Sequence, residues 1–307
     1  MNGAAERMAI AGNKGLSGHK YAAFNNFARR ITRCAGHAAT AVALAALAPP
    51  PAAKISLWRL DCGSFRIKDY GAFFSDTFAY PAGQPKEIVS SCYLVRHGER
   101  YLLWDTGLDG RLAGTSLDQP AQTLSLKRTI AAQLAELGVR PEQIGIVGIS
   151  HYHGDHTGQA ASFPKAKLVI GKADYAAFKA TPPEEGVDPR HLAPWLTGGG
   201  TVVEATGDID IFHDGRVVML AMPGHTPGHS ALLIRLASGP VLLTGDLYHF
   251  TEQVAIKGVP PFNTNRADTL ASMDRFDRMA KNLGAKVIIQ HEPSDVAKLP
   301  LFPKPAE

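Results

Sequence analysis

Four side chains able to bind a metal fall within six consecutive positions, His151-Tyr152-His153-Gly154-Asp155-His156. Imidazole nitrogens and carboxylate oxygens at that density suit a divalent cation, since each offers a lone pair and the carboxylate adds negative charge. The run directly follows the apolar segment IGIVGIS, Ile144 to Ser150. A histidine-rich surface tract is the plainer reading, but such tracts do not as a rule begin where a buried strand ends. Three more candidates also follow apolar runs: His225 in PGHTPGH, Asp246 in LLTGDLYH and His291 in IIQHEP. Open α/β folds gather their sites beyond the strand ends, at one edge of the sheet. Together, five histidines and two aspartates are enough for two metal ions, with zinc favoured and manganese, iron or cobalt acceptable to the same donors.

Such donors need a rigid frame, and the flanking sequence supplies strands. Ile55 to Phe65 reads as one strand, and Val89 to Gly107 as a hairpin turning at His97-Gly98. Ser125 to Gly138 places Ile130, Leu134 and Leu137 on one helical face, with Gly138 as the stop. Ile144 to Ser150 and Lys167 to Gly171 read as strands, the latter followed by a helix in ADYAAFKA. Further strands are expected at Val217 to Ala221, Ser230 to Leu236, Val241 to Thr244 and Lys286 to Gln290, with a helix from Ala267 to Leu283. Strands and helices alternating through both halves argue for one α/β layered domain. Leu108 to Thr123 and Thr181 to Gly200 fall outside the pattern and read as long loops of the kind that form substrate lids.

With 45% hydrophobic and 20% charged residues, the 307-residue chain can bury a sizeable core, which excludes a disordered or collagen-like protein. The formal charge of +4 is concentrated at the start: Arg7, Lys14, Lys20, Arg29, Arg30 and Arg33 face the single acid Glu6 within residues 1–53. The remainder is close to neutral, so no nucleic-acid partner is expected. From Arg29-Arg30 the chain enters AGHAATAVALAALA and then three prolines, Pro49 to Pro51, which reads as a signal peptide cleaved after Ala48 or Ala53. A twin-arginine export signal and a retained Ala-rich extension are the alternatives. The apolar stretch falls short of the roughly 20 residues that span a bilayer, so no stable membrane anchor is expected. Residues 54–307 then form the working domain of an exported protein, periplasmic or secreted, and a homodimer is left open. Cys34 leaves with the leader; Cys62 and Cys92 are expected as buried free thiols, with a disulfide as the alternative if their strands are neighbours.

H-x-H-x-D-H, PGHTPGH, the Gly245-Asp246 pair and a late His291 together resemble the metallo-β-lactamase-fold hydrolase superfamily, over essentially all of Ile55 to His291. The SSCYLVRHGERYLLWDTG opening and the short tail after Asp246 make the chain most similar to the N-acyl homoserine lactonase group. The resemblance implies a four-layer αββα sandwich. It also implies that His151, His153 and His225 hold one metal, that Asp155, His156 and His291 hold the second, and that Asp246 bridges them. Asp105 in WDTG corresponds to an aspartate that supports the ligands, and His229 is expected to be structural. The implied chemistry is lactone-ring opening by a hydroxide bridging two zinc ions, with quorum quenching as the biological outcome. Asp155 is the implied proton carrier. No G-x-S-x-G elbow is present to offer a serine nucleophile instead.

Lactonases of this group carry a tyrosine three residues beyond the bridging aspartate, whereas here Tyr248 comes one residue early and His249 fills that position. Either Tyr248 or His249 is expected to contact substrate. Phe73, Phe74, Phe78, Tyr80, Trp195 and Phe262 are candidates to line a groove for an acyl chain, with a place in the core as the alternative for each. The alternatives within the fold are a β-lactamase, a thioesterase like glyoxalase II, or a phosphodiesterase or sulfatase. A metal-binding protein without catalysis is the alternative outside enzymes.

Overall fold

The computed structural model describes residues 53–307; residues 1–52 of the leader read at 1–53, with Cys34 and the cleavage point after Ala48, lie outside the described residues. Among the described residues, thirteen strands form two sheets. The first contains β1 (Ile55–Ile67), β2 (Lys86–His97), β3 (Arg100–Trp104), β4 (Thr115–Asp118), β5 (Gln122–Leu126), β6 (Ile144–Ile149), β7 (Lys167–Gly171) and β8 (Val202–Ala205). Their order is β4-β5-β1-β2-β3-β6-β7-β8. The second sheet contains β9 (Ile209–Asp210), β10 (Val217–Ala221), β11 (Ser230–Leu236), β12 (Gly239–Leu243) and β13 (Lys286–Ile288), in the order β13-β12-β11-β10-β9.

Most of these strands are apolar on both faces because both faces are covered. Between the sheets, Leu57, Tyr93, Val95, Leu102 and Trp104 meet Val217, Met219, Leu232, Ile234 and Leu243. On the outer face of the first sheet, Leu94, Leu103, Val147 and Leu168 pack against Ile130 and Leu134 of one helix and Tyr175 and Phe178 of another. On the outer face of the second, Leu220, Leu233 and Leu242 pack against Met273 and Phe276 of the helix Arg266–Leu283. That helix starts where Asn265 accepts hydrogen bonds from the Ala267 and Asp268 amides and stops at Gly284, whose φ of 58° a side chain would resist. The layers are therefore helices, sheet, sheet, helices: the αββα sandwich expected from the sequence.

Chain direction is what builds the site. β3, β6, β7 and β8 run parallel, and β10, β12 and β13 share one direction, because β12 pairs parallel with β13 and β11 lies antiparallel to both β10 and β12. The segments carrying Asp105, His151, His225, Asp246 and His291 follow the C-terminal ends of β3, β6, β10, β12 and β13.

Three expectations change. The helix read over Ser125 to Gly138 covers Ile130–Glu136, because Ser125 and Leu126 pair into the sheet and Thr129 caps the helix by accepting from the Ala132 amide. The expected loop from Leu108 to Thr123 contains β4 and the start of β5, a hairpin that extends the sheet. Cys62 and Cys92 are joined in a disulfide with Cα atoms 5.8 Å apart, which corrects the free-thiol reading. β1 and β2 are antiparallel neighbours with Leu60 opposite Cys92, and a register shift between Asp61 and Ser64 carries Cys62 into a bulge diagonal to its partner.

Candidate metal centre

Seven side chains from both sheets converge into two adjoining groups: His151, His153, His225 and Asp246 in one, Asp155, His156 and His291 in the other. In the first, Nδ1 of His153 lies 2.9 Å from Nε2 of His151 and 3.1 Å from Nε2 of His225. In the second, Nε2 of His156 lies 3.2 Å from Nε2 of His291 and 3.5 Å from Oδ2 of Asp155. Asp246 stands between them. Its Oδ2 lies 3.5 Å from His151 and 3.4 Å from His225, while its Oδ1 lies 3.0 Å from His156 and 2.9 Å from His291. One carboxylate thus offers one oxygen to each group.

The donor set fits metal ions. Ligands held ~2.0–2.2 Å from one zinc at tetrahedral angles lie about 3.4 Å from each other, close to the separations here. Three imidazole nitrogens in the first group point at one another, an arrangement that repels unless a cation lies among them. Burial holds His151 and His225 well below the ordinary histidine range and pushes His153 down to about 4, so these rings are neutral and keep lone pairs to donate. In the second group burial also works against charge, but Asp246, Asp155 and Asp105 outweigh it at His156, and Asp246 and Asp155 at His291; both rise. Asp246 is held well below the usual carboxylate range, its own burial overcome by His291, His156, His151 and His249.

Around the donors lies a set of orienting hydrogen bonds. Asp105, at the end of β3, accepts from the Ser150 amide at 2.7 Å through Oδ1 and meets Nδ1 of His156 at 2.9 Å through Oδ2, the supporting role expected for it. Nδ1 of His291 donates to the Val89 carbonyl at 2.6 Å. His229 donates from Nδ1 to the Met222 carbonyl at 2.9 Å, and its Nε2 accepts the Asp246 amide at 2.9 Å, so it is structural as expected. Two supports were not read from the sequence. Gln290 donates through Nε2 to Asp105 Oδ2 at 2.9 Å and accepts the Gly245 amide at 3.0 Å. Asp174 accepts the Tyr152 amide at 3.0 Å, the Thr226 hydroxyl at 2.7 Å and the Gly228 amide at 2.5 Å. Burial pushes its carboxyl up to about 7 against the pull of those three donors. Gly228 must be glycine here, because a Cβ would stand 2.7 Å from Asp174 Oδ1.

Residues 85–291 match the sequence model of the metallo-beta-lactamase superfamily. The chain belongs to that superfamily. Among curated relatives, the N-acyl homoserine lactonase AttM of Azorhizobium caulinodans is 27% identical over 262 residues, covering 78% of this chain and 94% of its own. AttM of Agrobacterium fabrum is 29% identical over 273 residues, covering 81% and 98%. Among solved structures, a variant of Bacillus thuringiensis AiiA with N-decanoyl-L-homoserine at its active site superposes with a TM-score of 0.69 at 22% identity, covering 83% of this chain and 100% of its own. This last likeness is one of fold.

The metallo-beta-lactamase centre opens into a cavity of about 710 Å³ lined by His153, Asp155, Asp246, His249 and His291 and walled by Phe65, Ile67, Phe73, Phe74 and Phe262. Glu184 and Glu185, from the segment read as a lid, also line it. Tyr248 and His249 face different ways. Tyr248 turns away, its hydroxyl donating to Asp277 at 3.1 Å and accepting from Lys257 at 2.7 Å, and it does not line the cavity. His249 turns in. Of the aromatic groove candidates, Phe73, Phe74 and Phe262 line the cavity. Trp195 is a core residue whose Nε1 donates to the Ala166 carbonyl at 2.9 Å. Phe78 is 94% exposed, and Tyr80 packs on Tyr70 and Phe250, so neither lines the cavity. Among the described residues, no helix is long and apolar enough to cross a membrane.

Proposed function

We propose that this protein is a dinuclear-metal hydrolase that opens the ester ring of N-acyl homoserine lactones, and that its biological effect is quorum quenching. The carrying observation is Asp246, with one carboxylate oxygen toward each donor group, at the floor of a cavity that has an aromatic wall. The lactonase names of the AttM relatives support the choice of substrate class.

His151, His153, His225 and Oδ2 of Asp246 would hold one ion; Asp155, His156, His291 and Oδ1 of Asp246 would hold the other. Nitrogen and oxygen donors at these spacings favour zinc. When bound, two such ions supply an activated water as nucleophile and a Lewis acid for the ester carbonyl. The chain's own residues do the rest. Asp155, which lines the cavity, can take a proton at its free carboxylate oxygen and deliver it to the departing alkoxide. His249 contacts the substrate in place of the turned-away Tyr248. Phe73, Phe74 and Phe262 exclude water and receive the acyl chain. Pairing of Cys62 with Cys92 supports an oxidising compartment, and we propose export to the periplasm or beyond.

The test is a hydrolysis panel on zinc- and manganese-loaded protein lacking residues 1–53. It compares acyl-homoserine lactones, simple lactones, nitrocefin, a phosphodiester and a glutathione thioester. Preferred opening of the homoserine lactones is expected; preference for any other substrate would overturn the lactonase reading.

A further inference from the structure

Gln290 is fully buried and uses all of its amide hydrogen-bonding capacity. Its Oε1 accepts the Gly245 amide at 3.0 Å and the Trp104 indole at 3.3 Å; its Nε2 donates to Asp105 Oδ2 at 2.9 Å and the Ser91 carbonyl at 3.4 Å. These contacts serve chiefly one half of the centre. Asp105 Oδ2 is the oxygen that orients His156, Gly245 precedes Asp246, and Gln290 is joined directly to His291. The other half is reached only at a further remove, through Ser150, whose amide Asp105 Oδ1 accepts and whose hydroxyl lies 3.0 Å from Nδ1 of His151, and through Oδ2 of Asp246.

Asp174 has the complementary set. The Tyr152 amide that it accepts lies between His151 and His153, and the Thr226 hydroxyl belongs to the residue after His225. The Gly228 amide fixes the rest of the PGHTPGH turn. No partner of Asp174 touches His156 or His291. Asp174 is itself fully buried, so an imperfect replacement cannot be repaired by solvent.

We infer that each half of the centre has its own principal support, Asp174 for His151, His153 and His225 and Gln290 for His156 and His291, so that losing either support weakens one ion more than the other. This rests on the dinuclear reading above. Both are positioning residues, acting through the ligands they orient. Loss of an outer partner of a metal ligand typically lowers metal affinity about 10–100-fold, and here that loss falls mainly on one ion.

Asp174→Asn keeps the shape but turns an amide NH₂ toward one of the three donors; Gln290→Met keeps the volume and removes all four hydrogen bonds. Each zinc-loaded variant is crystallised for anomalous diffraction at the zinc edge, and its zinc content is followed against increasing chelator. In Gln290→Met, density at the His156 half is expected to fall, and the chelator needed to strip one zinc equivalent to drop about 10–100-fold, with the His151 half affected much less. Asp174→Asn is expected to give the reverse. Should either protein fail to fold, Gln290→Asn and Thr226→Val weaken the same supports more gently. Both peaks falling equally in either variant, or neither falling, would overturn the inference. A wild-type crystal with a single zinc peak would instead sink the dinuclear reading, so the two failures can be told apart.

Discussion

Nε2 of His249 lies 3.1 Å from Oδ2 of Asp246 and is buried without a hydrogen-bond partner. Gln253 explains the orientation. Its Oε1 accepts the His249 backbone amide at 2.5 Å and lies 3.3 Å from Nδ1 of the same ring. An oxygen held in place by a backbone N–H can also take a proton from Nδ1, and these contacts fix the ring with Nε2 toward the cavity beside the carboxylate. Phe74 packs against the ring with centroids 4.8 Å apart, which limits its rotation.

His249→Ala is therefore expected to lower kcat/KM by about 10–100-fold, in the range of a lost positioned polar group, with zinc content unchanged. Tyr248→Phe removes a hydroxyl that only Asp277 and Lys257 use. It is expected to cost about 1 kcal/mol of stability and to leave kcat/KM within about twofold. Steady-state kinetics and thermal melts of both variants check this; a larger kinetic defect in the tyrosine variant would reverse the assignment.

The Cys62–Cys92 bridge closes a loop across a sequence separation of 30, at the bulge in β1. Chain-entropy arguments for a loop of that length give about 3–4 kcal/mol of stabilisation. The Cys62→Ser, Cys92→Ser double variant is expected to melt well below the wild type, and a reductant should lower the wild-type melting temperature without affecting the variant. Equal sensitivity of both proteins to reductant would mean that the bridge contributes nothing.

The metal donors were legible because chemistry-bearing residues follow apolar runs directly, and a run such as Lys167 to Gly171 has no reading that competes with a strand. The supports were not legible. Gln290 and Asp174 are ordinary polar residues in sequence, and what marks them is a partner 185 positions away in one case and 52 in the other. Trp195 misled for a related reason: in a Pro- and Gly-rich stretch no periodicity shows which way an aromatic ring points, and this one caps the core at the Ala166 carbonyl. The disulfide depended on a one-residue bulge, which alternation alone does not reveal.

His229 gives the centre a dependence on acid. Burial is the main cause of its lowering to about 4, and its neutral form is the one that accepts the Asp246 amide. In the unfolded chain the ring takes its proton near pH 6.5, so protons favour unfolding as the pH falls from about 6.5 to about 4, and above that window the ring carries no penalty. The loss is on the order of 3 kcal/mol. Urea midpoints of wild type and His229→Asn, compared from pH 7.5 down to 4.5, are expected to converge as the wild type loses this stability; a constant gap would show that His229 does not titrate differently on folding.

Phe262 and Trp195 separate groove from core. Phe262 is partly exposed, lines the cavity and packs its ring against Phe73 and Phe74 with centroids 5.2 and 5.9 Å away. Burying each methylene of an acyl chain is worth ~0.8 kcal/mol, or roughly fourfold in affinity. Phe262→Ala should therefore raise KM for an N-decanoyl lactone by about tenfold more than for an N-butanoyl lactone, with stability nearly unchanged. Trp195, only 4% exposed and packed in the core beneath the helices of the first sheet, should behave in the opposite way. Trp195→Ala is expected to cost about 3–5 kcal/mol of stability and to shift KM equally for both lactones. Chain-length selectivity that moved with Trp195 and not with Phe262 would put the acyl chain on the wrong side of the first sheet.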